Sequence, residues 1–183
     1  MNKVILYYKF VPVPDPHMVM LWQKELCNRL GLKGRIIVSQ HGINGTLGGD
    51  VEKLRQYKRD MNTSGTFRGI MYKWSDGDGK EFPRLSVKVR PELVAFGIPN
   101  EIKVDETGVV GTGKHLKPHQ VHELIKKHGE DVVLFDGRNA YEASVGKFEN
   151  AIVPDTKNTR DFIKEIESDK LKPLKNKKVV TYC

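Results

Sequence analysis

Cys183 and the stretch from Asp136 to Pro154 hold the residues with the most chemical potential in this chain. Cys183 follows Lys177-Lys178-Val179-Val180-Thr181-Tyr182, a β-branched and aromatic run that reads as a short buried strand. A thiol at the C-terminal end of a strand in an α/β sheet lies where such sheets place ligands and chemistry. Its reactive form is the thiolate, which convergent backbone N–H groups and a helix N-terminus favour. A chance terminal cysteine is the competing reading of that residue taken alone. Upstream stand Asp136-Gly137-Arg138-Asn139, then Tyr141-Glu142, then Gly146 to Pro154. The other cysteine, Cys27, falls inside a helical pattern and reads as an inert buried thiol. His115, His119 and His122 are the closest of six histidines, but no carboxylate or cysteine completes a ligand pattern, so no metal is assigned. Neither a Gly-rich phosphate loop nor a Ser-His-Asp spacing is present.

The elements that must position these residues can be read next. Pro118 fits the first turn of a helix with Val121, Leu124 and Ile125 inward. Residues 131–136 form a near-continuous apolar strand of the type covered on both faces of a parallel sheet. A loop follows, then a helix capped by Asn158 or Thr159 with Phe162, Ile163 and Ile166 inward, then the strand ending at Cys183. This is the beginning of an open α/β domain. Residues 98–117, with Pro99 and three glycines, read as a linker with a short strand at 102–104.

The first half reads differently. A strand over 4–11 ends in Pro12-Val13-Pro14-Asp15-Pro16, and Met18, Leu21, Trp22, Leu26 and Leu30 recur at helical spacing before Gly31. A strand at 35–40 enters a glycine-bracketed segment at 42–49, Asp50 caps a helix to about Met61, and strands follow at 70–74 and 85–90. The order β-α-β-β-α-β plus a further strand is that of a ferredoxin-like α+β sandwich over residues 1–97. Residues 1–97 hold 16 Lys and Arg against 9 Asp and Glu, whereas residues 98–183 hold 15 against 14, so nearly all of the +8 net charge is in the first half. Such asymmetry points to a polyanion, nucleic acid first. In the last strand Leu85, Val87 and Val89 alternate with Arg84, Ser86, Lys88 and Arg90, and Tyr7 and Lys9 are expected to share the open face with the basic set. A basic, partly aromatic open sheet is a known way to hold RNA; a merely solvated face is the competing reading.

The motifs, taken together, resemble a known family. Asp136-x-Arg138 after a core strand, Glu142 shortly beyond, a Gly146…Ala151…Pro154 segment and a cysteine at the end of the next core strand resemble the rhodanese domain. With His41-Gly42-Ile43-Asn44-Gly45-Thr46 and Gly113-Lys114-His115-Leu116-Lys117-Pro118, the whole chain resembles the rhodanese-type tRNA uridine hydroxylases. The resemblance implies a ferredoxin-like domain at 1–97, a linker at 98–117 and an incomplete rhodanese-like α/β domain at 118–183. It also implies hydroxylation of the wobble uridine of tRNA to 5-hydroxyuridine with molecular oxygen as co-substrate, no other cofactor being evident. By the resemblance Cys183 is expected to take the catalytic position, with Asp136, Arg138 and Glu142 as its frame and the basic domain as the tRNA-holding part; the contacts expected there are those of the open face, Arg84, Lys88, Arg90, Lys9 and Tyr7. Lys147 replaces the family's usual histidine. The family's loop begins at the cysteine, where this chain stops with a carboxylate beside the sulfur, so a truncated form of low activity is expected. Apolar surface is expected to be bare along 132–135 and 179–182.

A chain that is 38% hydrophobic and 30% charged, without an apolar run of membrane-spanning length, is expected to be soluble and cytosolic. Two other functions fit the same residues: sulfur transfer through a persulfide on Cys183, and a non-catalytic RNA-binding module.

Overall fold

The computed structural model describes residues 1–98 and 101–183; Pro99 of the expected linker lies outside them. The chain forms two compact units, Met1–Leu93 with Ile98–Thr112, and Val94–Gly97 with Gly113–Cys183.

The first unit opens with β1 (Asn2–Phe10), α1 (Pro16–Leu30), β2 (Lys33–Ser39), β3 (Gly42–Asp50), α2 (Val51–Thr63), β4 (Tyr72–Asp76) and β5 (Leu85–Val89). The sheet order is β4-β1-β3-β2-β5, antiparallel throughout except for the parallel pair β2–β5. This is the ferredoxin-like arrangement with one added edge strand. Local chemistry sets the helix ends. Asp15 accepts from the His17 and Met18 amides ahead of Pro16, Gly31 closes α1 at φ 67°, and Asp50 caps α2 through the Glu52 amide.

The core between helices and sheet holds Ile5, Tyr7, Ile36, Val38, Ile43 and Leu47 from the strands and Leu26, Cys27, Leu54, Tyr57 and Met61 from the helices. The inward side of α1 is Gln23, Leu26, Cys27 and Leu30, while Met18 and Leu21, expected inside, are exposed. Gln23 is drawn in by hydrogen bonds: the Tyr57 hydroxyl donates to its carbonyl, and its amide lies 3.1 Å from the Met61 sulfur. The Tyr7 hydroxyl joins Tyr57 in the same buried chain.

Glycines of the His41–Thr46 segment are explained by close approach of backbone and ring. A Cβ on Gly45 would collide with the Tyr7 ring, and one on Gly42, at φ 137°, would collide with the Lys9 carbonyl. Beyond β5, the expected linker contains a tight two-stranded hairpin, β6 (Val104–Asp105) and β7 (Gly108–Val109), with Asp105 accepting from the Thr107 amide and hydroxyl. The strand thus lies slightly beyond the expected 102–104.

The second unit contains α3 (Pro118–His128), β8 (Val132–Asp136), α4 (Ala140–Val145), α5 (Asp161–Ile166) and β9 (Lys178–Tyr182). β8 and β9 run parallel with Asp136 opposite Tyr182, and Ile152 bridges Phe135 in parallel sense. α4 stands where a loop is expected, because Asn139 and Glu142 form a reciprocal capping box. Phe135 is buried against Phe162, Val132 to Leu134 are half-buried, and Val179 is 40% exposed. Among the described residues, no helix is long and apolar enough to cross a membrane.

Candidate active site

The chemistry-bearing residues of the second unit converge at the C-terminal ends of β8 and β9. The parallel register sets Asp136 beside Tyr182, and the next residue on each strand carries the chain into the site: Gly137 on one side, Cys183 on the other. The Gly137 amide donates to the Tyr182 carbonyl at 2.8 Å, which ties the turn after β8 to the residue before the thiol. An open cleft of about 330 Å³ lies here, lined by Arg138, Gly146, Lys147, Phe148, Tyr182 and Cys183. Arg138 and Cys183, both singled out in the sequence, line this cleft together.

Asp136 is fully buried, and Arg138 grips it twice, Nε to Oδ1 at 2.9 Å and Nη2 to Oδ2 at 2.7 Å. The Arg138 amide adds a third contact to Oδ1 at 3.1 Å. The guanidinium hydrogen bonds hold the Asp136 carboxyl far below the usual carboxylate range, against the opposing effect of burial; the Arg138 amide and the Tyr182 hydroxyl lower it further. Reciprocally, the carboxylate raises Arg138 further above its already high range. The same Nη2 also donates to the Gly146 carbonyl at 2.6 Å. Arg138 is therefore a clamp: it neutralises a buried carboxylate and draws the end of α4 toward the strand ends.

The cleft wall is fixed by Tyr182, whose hydroxyl accepts from the Phe148 amide at 3.1 Å while the two rings meet edge to face at 4.5 Å. Lys147 donates to the Ala151 carbonyl at 3.1 Å, bracing the segment that follows. Cys183 is exposed at the mouth. Glu142, expected in the frame, does not line this cleft; it accepts from the Asn139 amide at 3.3 Å and starts α4. The Asn139-x-x-Glu142 spacing was a readable signal of that role. Tyr182 and Phe148 were missed as cleft residues because both read as ordinary apolar positions.

Cys27 has the opposite character to Cys183. It is fully buried in the first unit, and burial pushes its thiol up to about 12, so it is not a nucleophile near neutral pH.

The residues expected to hold RNA divide between the two faces of the first unit's sheet. Lys88 is exposed on the helix-free face, and Arg84 and Arg90 are exposed just beyond the two ends of β5. Tyr7 and Lys9 are on the other face. Tyr7 is 1% exposed with its hydroxyl on Tyr57, and Lys9 donates to the Thr66 and Arg68 carbonyls at 2.9 and 2.8 Å. The reason is register: Ile5 and Tyr7 pair with Leu47 and Gly45 of the core side, which sends Leu6 and Tyr8 outward.

The family described as the UPF0176 acylphosphatase like domain matches residues 2–93. A protein of Corynebacterium diphtheriae named tRNA uridine(34) hydroxylase is 58% identical over 182 residues, covering all of this chain and 58% of that protein. Proteins of the same name from Corynebacterium urealyticum and an Arthrobacter species are 56% and 55% identical, with 61% and 63% of their lengths covered. The chain thus spans about three-fifths of the length of these relatives.

Proposed function

Because the chain belongs to the family defined by the UPF0176 acylphosphatase like domain, we propose that it acts in tRNA modification, as part of a tRNA uridine(34) hydroxylase that converts the wobble uridine to 5-hydroxyuridine. Molecular oxygen is the co-substrate in this reading. The second unit is rhodanese-like, and Cys183 is its catalytic cysteine. The observation that carries the reading is the meeting of Cys183 with the Asp136–Arg138 clamp and Tyr182 at the ends of two parallel strands. Identity of 55–58% along the whole chain with proteins of that name supports it.

In this reading the clamp acts as support. Arg138 spends its hydrogen bonds on Asp136 and Gly146, so it shapes the cleft while the exposed sulfur meets the substrate. The first unit, with its basic excess, holds the tRNA.

The test is 5-hydroxyuridine content at position 34, measured by mass spectrometry of tRNA from cells lacking their own hydroxylase and supplied with the protein. The 183-residue chain is expected to form the nucleoside at a low level above background, and Cys183→Ser to reduce it to background. Restoration by Cys183→Ser equal to wild type would remove the thiol from the mechanism. Formation of a cyanide-releasable sulfur on Cys183 from thiosulfate, with no 5-hydroxyuridine, would replace hydroxylation with sulfur transfer.

A further inference from the structure

We propose that the helix-free face of the five-stranded sheet is a stacking platform for single-stranded RNA, with Tyr8 as the stacking residue and Lys33, Arg35, Lys73 and Lys88 as the phosphate-holding rim. The strand registers assemble this face row by row. Lys73, Leu6, Thr46, Arg35 and Ser86 lie across the sheet in one row, and Tyr8, Asn44, Ile37 and Lys88 lie in the next. Lys33 is two residues from Arg35 along β2, on the same side.

Three features make this face a nucleic-acid surface. The first is an exposed aromatic: Tyr8 is 63% exposed, and Phe10, two residues on, meets its ring edge to face at 6.2 Å, which steadies it. An aromatic side chain standing on an open sheet offers a plane to any base, whatever its sequence. The second is relief. Outward positions of the central strand β3 are Asn44, Thr46 and Gly48, so a shallow channel runs between the aromatic strand β1 and the cationic strand β2. Phe82 and the Glu81 carboxylate close its far end over Gly48.

The third feature is charge. Lys33, Arg35, Lys73 and Lys88 are all exposed, and among the described residues none makes an ion pair. On the helix side, by contrast, Arg29 pairs with Asp60 and Arg55 with Glu52. The outward register of all five strands holds a single carboxylate, Asp50, which is engaged in capping α2, and Glu81, a loop carboxylate that reaches this face beside Gly48, is engaged by the Asp78 and Gly79 amides. Four unpaired cations around an exposed ring and a polar channel complement a flexible polyanion with exposed bases. A protein partner would call for a wider apolar patch and for partner carboxylates matched to each cation.

The inference rests on the tRNA reading for the identity of the RNA in the cell, and its test separates the two. Fluorescence anisotropy of the 183-residue chain would be measured with a labelled single-stranded oligouridylate and with unmodified tRNA, over a range of salt. Tyr8→Ala is expected to weaken binding of both about tenfold, within the range for loss of one base stack, and Tyr8→Phe to leave it unchanged. Arg35→Glu with Lys88→Glu is expected to weaken binding further and to lower the magnitude of the salt slope by about two. Arg55→Glu with Arg59→Glu on α2 is the control and is expected to retain most of the affinity. Wild-type affinity for tRNA in Tyr8→Ala and in Arg35→Glu/Lys88→Glu would overturn the platform and leave the tRNA reading standing. Loss in the α2 control equal to that of the sheet pair would also overturn it, as the effect of net charge alone. Tight binding of oligouridylate that needs Tyr8, without binding of tRNA, would support the platform and count against the tRNA reading.

Discussion

The residue that most repays attention is Asp136, a carboxylate with no exposed surface held by both prongs of Arg138. Taking one member from such a pair leaves the other charge buried and unmatched, so single substitutions at this site are expected to damage the fold before they inform on chemistry. The pair also carries a pH signature. Asp136 is held far below its ordinary range when folded. The folded chain therefore binds fewer protons than the unfolded chain as pH falls through the carboxylate range, about 4 and below. Its contribution to stability is complete above that range and is lost below it, toward the depressed folded value. Circular dichroism of urea unfolding from pH 7 to pH 3 should show the second unit weakening toward acid. An Arg138→Met variant should be weaker at neutral pH and should lose less on acidification; an equally steep acid loss would show that other carboxylates dominate. Of the site, Cys183, Asp136 and Arg138 were legible because their types and spacing make a pattern. Tyr182 and Phe148 were not, since an apolar residue gains a role at a cleft only through the register that puts it there.

At the level of the elements, end signals were easy to read and facing directions were not. Asp15, Gly31, Asp50 and Pro118 each do the capping or starting job that their chemistry indicates. The direction of β1 could not be read by alternation, because Val4, Leu6, Tyr8 and Phe10 form one apolar set and Ile5 and Tyr7 another. The choice is made by fit: Tyr7 occupies the space that Gly45 leaves on the paired strand. In α1 the apolar pattern pointed to Met18 and Leu21, but a polar residue, Gln23, is inside because Tyr57 and Met61 supply its partners. Gly45→Ala should accordingly destabilise the first unit by about 1–3 kcal/mol through overpacking against Tyr7. Thermal or urea unfolding would measure it, and a Gly45→Ala protein as stable as wild type would show that the Tyr7 ring can move aside without cost.

At the scale of the whole chain, charge and topology separate the labour. The excess of 16 basic over 9 acidic residues in the first 97 was visible from composition, yet the face that presents it was legible only once the registers were known. Topology has a further consequence, through the single bond from the Gly137 amide to the Tyr182 carbonyl. These residues are 45 apart, so the bond closes a long loop, and the entropic cost of that closure is met only when β9 docks beside β8. The mouth of the cleft cannot assemble piecemeal; it exists when the strand pair exists and is lost with it. The Gly137 amide is thus a built-in reporter of cleft assembly. In hydrogen exchange it should protect and open in step with the amides of β9, and exchange of Gly137 while β9 stays protected would show that the turn opens on its own. A ligand that binds only the assembled cleft would slow exchange at Gly137 and along β9 together, and the second unit would gain stability from occupancy of that cleft.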